Sequence, residues 1–175
     1  ARYFEEGNVP NRKTRTQTAQ VYSFVAGDDK PFVIHLSSPP KFWKGLCKVA
    51  GHEEWFDEDR FVDKATRRAN YDELEALLAD VFKTKPREHW LNRLLEEDVP
   101  SAPIYTLDET LADPQVQHLD MVREVPHPKV GFVKLIESGV RMSDTPPEIR
   151  TAAPLHGEHT EEILQRIADK PGAAE

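Results

Sequence analysis

The firmest constraint in this 175-residue chain is an apolar stripe in which Leu74, Leu77, Leu78, Val81 and Phe82 recur at i, i+3, i+4, i+7 and i+8. That spacing puts all five on one face of a helix, and such a face must be buried against something. Asn70 stands ahead of the stripe as an N-cap, with Glu73 three residues on to complete a capping-box-like pair. A second helix follows almost at once. Pro86 suits its first turn, Trp90, Leu91, Leu94 and Leu95 form its apolar face, and Pro100 stops it. Upstream, Phe42, Leu46 and Val49 share a helical face, with Trp43, Cys47 and Ala50 beside them. Ser38 can cap that helix, Pro39 fits its first turn and Gly51 ends it. Shared faces predict a core containing Phe42, Leu46, Leu74, Leu78, Trp90 and Leu94.

Elsewhere the period changes from helical to two. From Gln20 to Ala26, the set Val21, Ser23, Val25 alternates with Tyr22, Phe24, Ala26, which reads as a strand. Gly27-Asp28-Asp29-Lys30 is a four-residue connection. Pro31 opens a second strand, Phe32 to Leu36, making a hairpin. Beyond the helices, Ala102 to Tyr105 reads as a short buried strand. Thr106 and Glu109 make a capping box for a brief helix, which Asp113-Pro114 interrupts. Met121 to Val125 and Gly131 to Ile136 read as strands joined at His127-Pro128. Ser143 to Pro154 is irregular. A last helix spans about Glu158 to Ala168, with Ile163, Leu164 and Ile167 inward, and the tail from Asp169 frays. Strands and helices in separate runs indicate an α+β fold rather than an alternating βα sheet.

Composition narrows the function. Hydrophobic residues are 38% and charged residues 31%, which suits a globular chain rather than a disordered one. Net charge is -8, and the one dense basic cluster, Arg12 to Arg15, makes no basic face, so nucleic acid is not an expected partner. No apolar run approaches the roughly 20 residues of a membrane span, so no membrane is expected either. The single cysteine, Cys47, excludes an internal disulfide and suits the cytoplasm. Its place in an apolar stripe marks it as a buried, inert thiol. His156 and His159 are the closest histidine pair, but Gly157 intervenes and no third ligand is near, so no metal site is expected. His35 and His127 read as a strand and a turn residue. The paired carboxylates (Asp28-Asp29, Asp57 with Asp59, Glu96 to Asp98) fall in turns and helix ends and read as solvated surface. No nucleophile elbow, P-loop or dinucleotide fingerprint is present. These residues offer no catalytic group. The opening, Arg2 to Arg12, reads as a linker with turn residues Gly7, Asn8, Pro10 and Asn11, as expected of a piece of a longer protein.

Several stretches, in order, carry a resemblance. They are Phe42-Trp43-Lys44-Gly45-Leu46-Cys47, then Glu58-Asp59-Arg60-Phe61 followed by Arg67-Arg68-Ala69-Asn70-Tyr71-Asp72-Glu73-Leu74. His89-Trp90-Leu91 and Val99-Pro100-Ser101-Ala102-Pro103-Ile104 follow, then Asp113-Pro114-Gln115-Val116 and His127-Pro128 with Gly131. The run Pro154-Leu155-His156-Gly157-Glu158-His159-Thr160-Glu161-Glu162-Ile163-Leu164 closes the set. Together they resemble the C-terminal portion of the family III CoA-transferases, which include carnitine and formyl-CoA transferases and α-methylacyl-CoA racemase. The resemblance implies a linker at 1–16, a small α+β domain with antiparallel strands and surrounding helices at 17–111, a return segment at 112–167 and a frayed tail at 168–175. The return segment would belong to a Rossmann-like large domain not in this chain. It also implies an interlocked homodimer, acyl-CoA and carboxylic acid substrates, and no tightly bound cofactor beyond the coenzyme A thioester itself. An aspartate that attacks the thioester and forms a mixed anhydride would lie upstream of Ala1, so no catalytic residue is assigned in this chain. Lys13 and Arg15 are the candidate contacts to CoA phosphates. One departure is the stretch Asn11 to Thr16, which has no glycine where formyl-CoA transferase carries a glycine-rich loop. Three readings stay open: a transferase segment, a racemase segment, or an interaction domain without catalysis.

Overall fold

A computed structural model describes residues 4, 7, 9, 11, 13–36 and 40–169. The chain divides into two compact units, 1–105 and 106–175. The first holds α1 (Thr14–Ala19), β1 (Val21–Val25), β2 (Pro31–His35) and α2 (Pro40–Ala50). A 3-10 turn (Glu53–Phe56), α3 (Lys64–Ala69), α4 (Tyr71–Phe82), α5 (Arg87–Glu96) and β3 (Ser101–Pro103) follow. The strands form one antiparallel sheet in the order β1-β2-β3. Tyr22 lies opposite Ile34, Phe24 opposite Phe32, and Phe32 opposite Pro103.

The alternation in β1 resolves in favour of Tyr22, Phe24 and Ala26, which are buried with Phe32 and Ile34, while Ser23 and Val25 are exposed. The helices close over this face with Trp43, Leu46, Cys47, Leu74, Leu78, Phe82, Trp90 and Leu94. Phe82 is the hub. Its ring centroid lies 4.8 Å from Phe24, 5.1 Å from Phe32 and 5.1 Å from Trp90. Such pairs each add about 0.5–1.5 kcal/mol beyond area burial.

Several expectations are corrected. Phe42 is only half-buried, and Trp43 takes its place in the core. Gly45 lets α2 approach the end of α5, since a Cβ there would come within 2.9 Å of the Glu97 carbonyl. Leu95 is 77% exposed, since α5 packs through Trp90 and Leu94. β3 is an edge strand with Ala102 exposed, not a buried one. The hairpin connection includes Ala26, whose N–H donates to the Lys30 carbonyl at 3.0 Å. Helix α1 begins at Thr14, inside the stretch expected as linker to residue 16. Arg12, Ser38, Pro39 and the tail 170–175 lie outside the described residues.

Asn70 does not cap α4. Its side-chain amide donates to the carbonyls of Arg60 at 3.0 Å and Thr66 at 3.1 Å, which closes α3 instead. Glu73 pairs with Arg60. The capping box belongs to Asp63, whose Oδ1 accepts from the N–H groups of Ala65 at 2.7 Å and Thr66 at 2.8 Å. The Thr66 hydroxyl accepts the Asp63 N–H in return, at 3.1 Å.

The second unit holds α6 (Leu107–Ala112), α7 (Pro114–His118), β4 (Val122–His127), β5 (Gly131–Ile136) and α8 (Thr160–Ala168). The Thr106 N–H donates to the Glu109 carboxylate at 3.2 Å, and Asp113 accepts the Gln115 N–H at 2.8 Å to start α7. β4 and β5 form a two-stranded antiparallel sheet from Val122 opposite Ile136 to His127 opposite Gly131. Val125 is the only buried hydrophobic residue among the described residues of this unit. The apolar face of α8 is not buried as expected: Ile163, Leu164 and Ile167 are 49%, 57% and 51% exposed.

Candidate functional site

The basic residues expected to meet an anion sit where α1 lies against α4. The Asn11 carboxamide accepts the Lys13 N–H at 2.9 Å, and the Asn11 N–H donates to the Thr14 hydroxyl at 2.8 Å, which starts α1. Lys13 Nζ then reaches Asp72 at 2.9 Å and Glu75 at 3.0 Å, and lies 5.9 Å from the centre of the Tyr71 ring. Hydrogen bonds to Asp72 and Glu75 hold its pKa above the ordinary lysine range. Arg15 is exposed and makes no ion pair among the described residues. Two positions apart at a helix start, Lys13 and Arg15 do not face one another.

Beneath Lys13, the Tyr71 hydroxyl donates to the Val21 carbonyl at 2.5 Å. Its ring stacks on Tyr22 with centroids 4.6 Å apart. Burial, and then the charge of Glu75, push the Tyr71 phenol up to about 12. Deeper still lies Arg67, buried, with its guanidinium carbon 5.0 Å from the centre of the Trp43 ring. Arg67 Nη1 donates to the Phe61 carbonyl at 2.7 Å. Desolvation lowers its pKa from the ordinary arginine value, opposed by Tyr22, Asp63 and Cys47. Sequence reasoning missed this residue as a buried group. Nothing in the pair Arg67-Arg68 separates an inward arginine from an outward one until Trp43 is known to lie against it.

The other singled-out groups are dispersed. Cys47 is buried, and burial pushes its thiol up to about 12, so little thiolate forms at neutral pH. His52 stacks on Trp55 at 4.2 Å and bonds Glu54 at 2.9 Å. His127 Nδ1 accepts the Lys129 N–H at 3.2 Å, and His159 lies 3.7 Å from Glu162. Among the described residues no group of three His, Cys, Asp or Glu could hold a metal ion. The paired carboxylates have specific work: Asp28 accepts the Arg87 N–H at 3.0 Å, while Glu96, Glu97 and Asp98 pair with Arg93, Lys48 and Lys41. Among the described residues no carboxylate is buried. A cavity of about 400 Å³ in the second unit is lined by Arg123 and Arg141. Arg123 is already paired with Asp120 and Glu137, and Arg141 donates to the Leu119 carbonyl. The arrangement can offer a charge to an anion at Arg15.

The chain matches the model for CoA-transferase family III over residues 1–160. It is 33% identical over 127 residues to an acyl-CoA transferase of Fusarium pseudograminearum (strain CS3096), covering 71% of this chain and 28% of that protein. It is 28% identical over 140 residues to a formyl-CoA:oxalate CoA-transferase of Rhodopseudomonas palustris (strain BisB18), covering 80% of this chain and 32% of the relative. Its fold is similar to that of a CAIB/BAIF family protein from Brucella suis, with TM-score 0.74 and 26% identity, covering 94% of this chain and 42% of the other. The Rv3272 protein of M. tuberculosis shares the fold at TM-score 0.66 and 23% identity, over 84% of this chain and 40% of its own. The chain thus spans about a third of the length of the curated relatives it matches.

Proposed function

The chain belongs to the family III CoA-transferases, and we propose that it supplies the small domain (17–111) and the return segment (112–167) of an enzyme that moves CoA between carboxylic acids. The observation that carries this reading is the unequal burial of the two units. The first has a closed aromatic and aliphatic core. The second buries Val125 and leaves Phe132, Ile136, Ile163, Leu164 and Ile167 between 49% and 65% exposed. Apolar residues left exposed on both β5 and α8 suit surfaces that another part of a protein covers, and the rest of a threefold longer enzyme is the natural cover. The transferase names carried by the relatives favour CoA transfer over movement of an α-proton.

In the proposed route an aspartate outside this chain attacks the carbonyl carbon of the acyl-CoA thioester. The C–S bond breaks, the thiolate leaves with the electron pair, and an acyl-aspartyl anhydride forms. The thiolate attacks the aspartyl carbonyl of that anhydride, which releases the donor carboxylate and leaves an aspartyl-CoA thioester. The acceptor carboxylate then displaces the thiolate to form a second anhydride, and the thiolate attacks the acceptor's carbonyl carbon, which frees the aspartate; the exchange is redox-neutral. Within this chain Arg15 is assigned to the CoA phosphates. Lys13 could join it only by giving up its bonds to Asp72 and Glu75, so its first role is to hold α1 on α4. The complete enzyme would act as an interlocked homodimer in the cytoplasm.

The test is an assay of the chain with a panel of acyl-CoA donors and carboxylate acceptors, alone and with the upstream half added in trans. Turnover is expected only with both parts, and Arg15→Ala should then raise KM for acyl-CoA with little change in kcat. Hydrogen exchange in the chain alone should be faster across 112–167 than across 17–111. Turnover by the chain alone, abolished by changing one of its own aspartates, would overturn the reading.

A further inference from the structure

We propose that Gln20, Tyr22, Trp43 and Arg67 enclose a structural water molecule that ties β1, α2 and α3 together inside the first unit. Each of the four presents a buried polar atom with no hydrogen-bond partner among the described residues: Gln20 Oε1, Tyr22 OH, Trp43 Nε1 and Arg67 Nε. The residues are 1%, 0%, 1% and 7% exposed. Native proteins rarely leave such atoms unmet, so four on adjoining elements call for a partner beyond the protein's own groups.

They are neighbours. The Arg67 guanidinium lies 5.0 Å from the centre of the Trp43 ring. The Gln20 amide nitrogen reaches the carbonyl of Lys64, one turn before Arg67 on α3, at 3.4 Å. Tyr22, two residues along the chain from Gln20, is within electrostatic reach of Arg67. Their donor and acceptor balance selects the ligand. Trp43 Nε1 and Arg67 Nε can only donate, and Tyr22 OH can do either. The Gln20 orientation is set from outside the cluster. The Lys64 carbonyl can only accept, so it takes the amide N–H and leaves Oε1, an acceptor, on the far side. A water molecule accepts two bonds and donates two, which meets this set. An anion could accept from Trp43 and Arg67 but would be repelled by Gln20 Oε1.

The experiment is hydration NMR on the isotope-labelled chain, reading contacts from water to the Trp43 indole and Arg67 Nε protons. A contact with the sign of a long-lived water is expected at Trp43. None is expected at Trp90, whose indole N–H already donates to the carbonyls of Phe82 at 2.8 Å and Lys85 at 3.1 Å. Tyr22→Phe should keep the Trp43 contact, whereas a signal relayed through the phenol proton would vanish. Trp43→Phe should likewise keep the Arg67 contact, since three partners still hold the water. No contact at Trp43 in the folded wild-type chain overturns the proposal, and so does loss of the contact in a folded Tyr22→Phe. A shift of the Trp43 indole proton on titration with bromide would also overturn it, in favour of an anion. If a variant fails to fold, the wild-type contacts and the bromide titration decide alone.

Discussion

Replacing Gly27 with alanine tests how the hairpin is fastened to the helices. Gly27 has an ordinary φ, so its backbone would accept a side chain. The space would not, because a Cβ would fall 2.5 Å from the Lys83 carbonyl oxygen and 3.1 Å from that of Lys85. Both are main-chain atoms of the α4–α5 connection, so relief requires one segment to move. Overpacking of this kind costs about 1–3 kcal/mol. The movement also strains the bond from the Gly27 N–H to the Lys85 carbonyl, 2.9 Å long, a contact worth about 0.5–1.5 kcal/mol net. Alanine restricts the unfolded chain and returns about 0.4–1 kcal/mol. The expected net loss is about 2 kcal/mol. Urea unfolding followed by tryptophan fluorescence reads it cleanly, since Trp43, Trp55 and Trp90 all lie in the first unit. Gly51 is the control, with φ 74° and nothing within 4 Å of a Cβ. Gly51→Asn should recover most of what Gly51→Ala loses, because asparagine tolerates the left-handed conformation. Gly27→Asn should recover nothing. A loss at Gly27→Ala under about 0.5 kcal/mol, or recovery by asparagine there, would refute the steric reasoning.

Leu78→Ala, at a fully buried position, should lower the stability of the first unit by about 2–5 kcal/mol; a loss under about 0.5 kcal/mol would mean the packing is wrong. The Thr66 and Ala65 N–H groups hold the Asp63 carboxyl below its ordinary 3.8, and the Arg87 N–H does the same for Asp28. A depressed folded pKa gives stability that is present above the ordinary value and lost as pH falls through the folded one. The urea midpoint should therefore drop below pH 3.8, and less steeply in the double variant Asp28→Asn, Asp63→Asn; an unchanged slope counts against both caps. Cys47, with its thiol pushed up to about 12, should resist an aromatic disulfide reagent at neutral pH in the native chain and react fully in urea. Rapid stoichiometric reaction of the native chain would place it at the surface.

Where local pattern and burial agreed, the residues alone were enough. Alternation put Tyr22, Phe24 and Ala26 on one side of a hairpin, and the 3.6-residue period placed Leu74, Leu78 and Phe82 on one face of α4. Both follow from backbone geometry, which fixes the side-chain direction before any partner is known. The ordered motifs likewise carried the family. Tertiary structure decided what depends on a neighbour distant in sequence. Asn70 could have capped α4, but the carbonyls of Arg60 and Thr66 took its amide, and the capping box stands one helix earlier, at Asp63 ahead of α3. Phe42 and Trp43 were both eligible for the core, and the packed helices bury Trp43 fully and leave Phe42 half-buried against it. Arg67 and Arg68 are alike as letters, and only the Trp43 ring and the Phe61 carbonyl make Arg67 an interior residue. The apolar stripe of α8 shows the same limit from the other side. Period alone says that Ile163, Leu164 and Ile167 share a face, but burial also needs a surface to receive it. In this chain all three stay about half exposed.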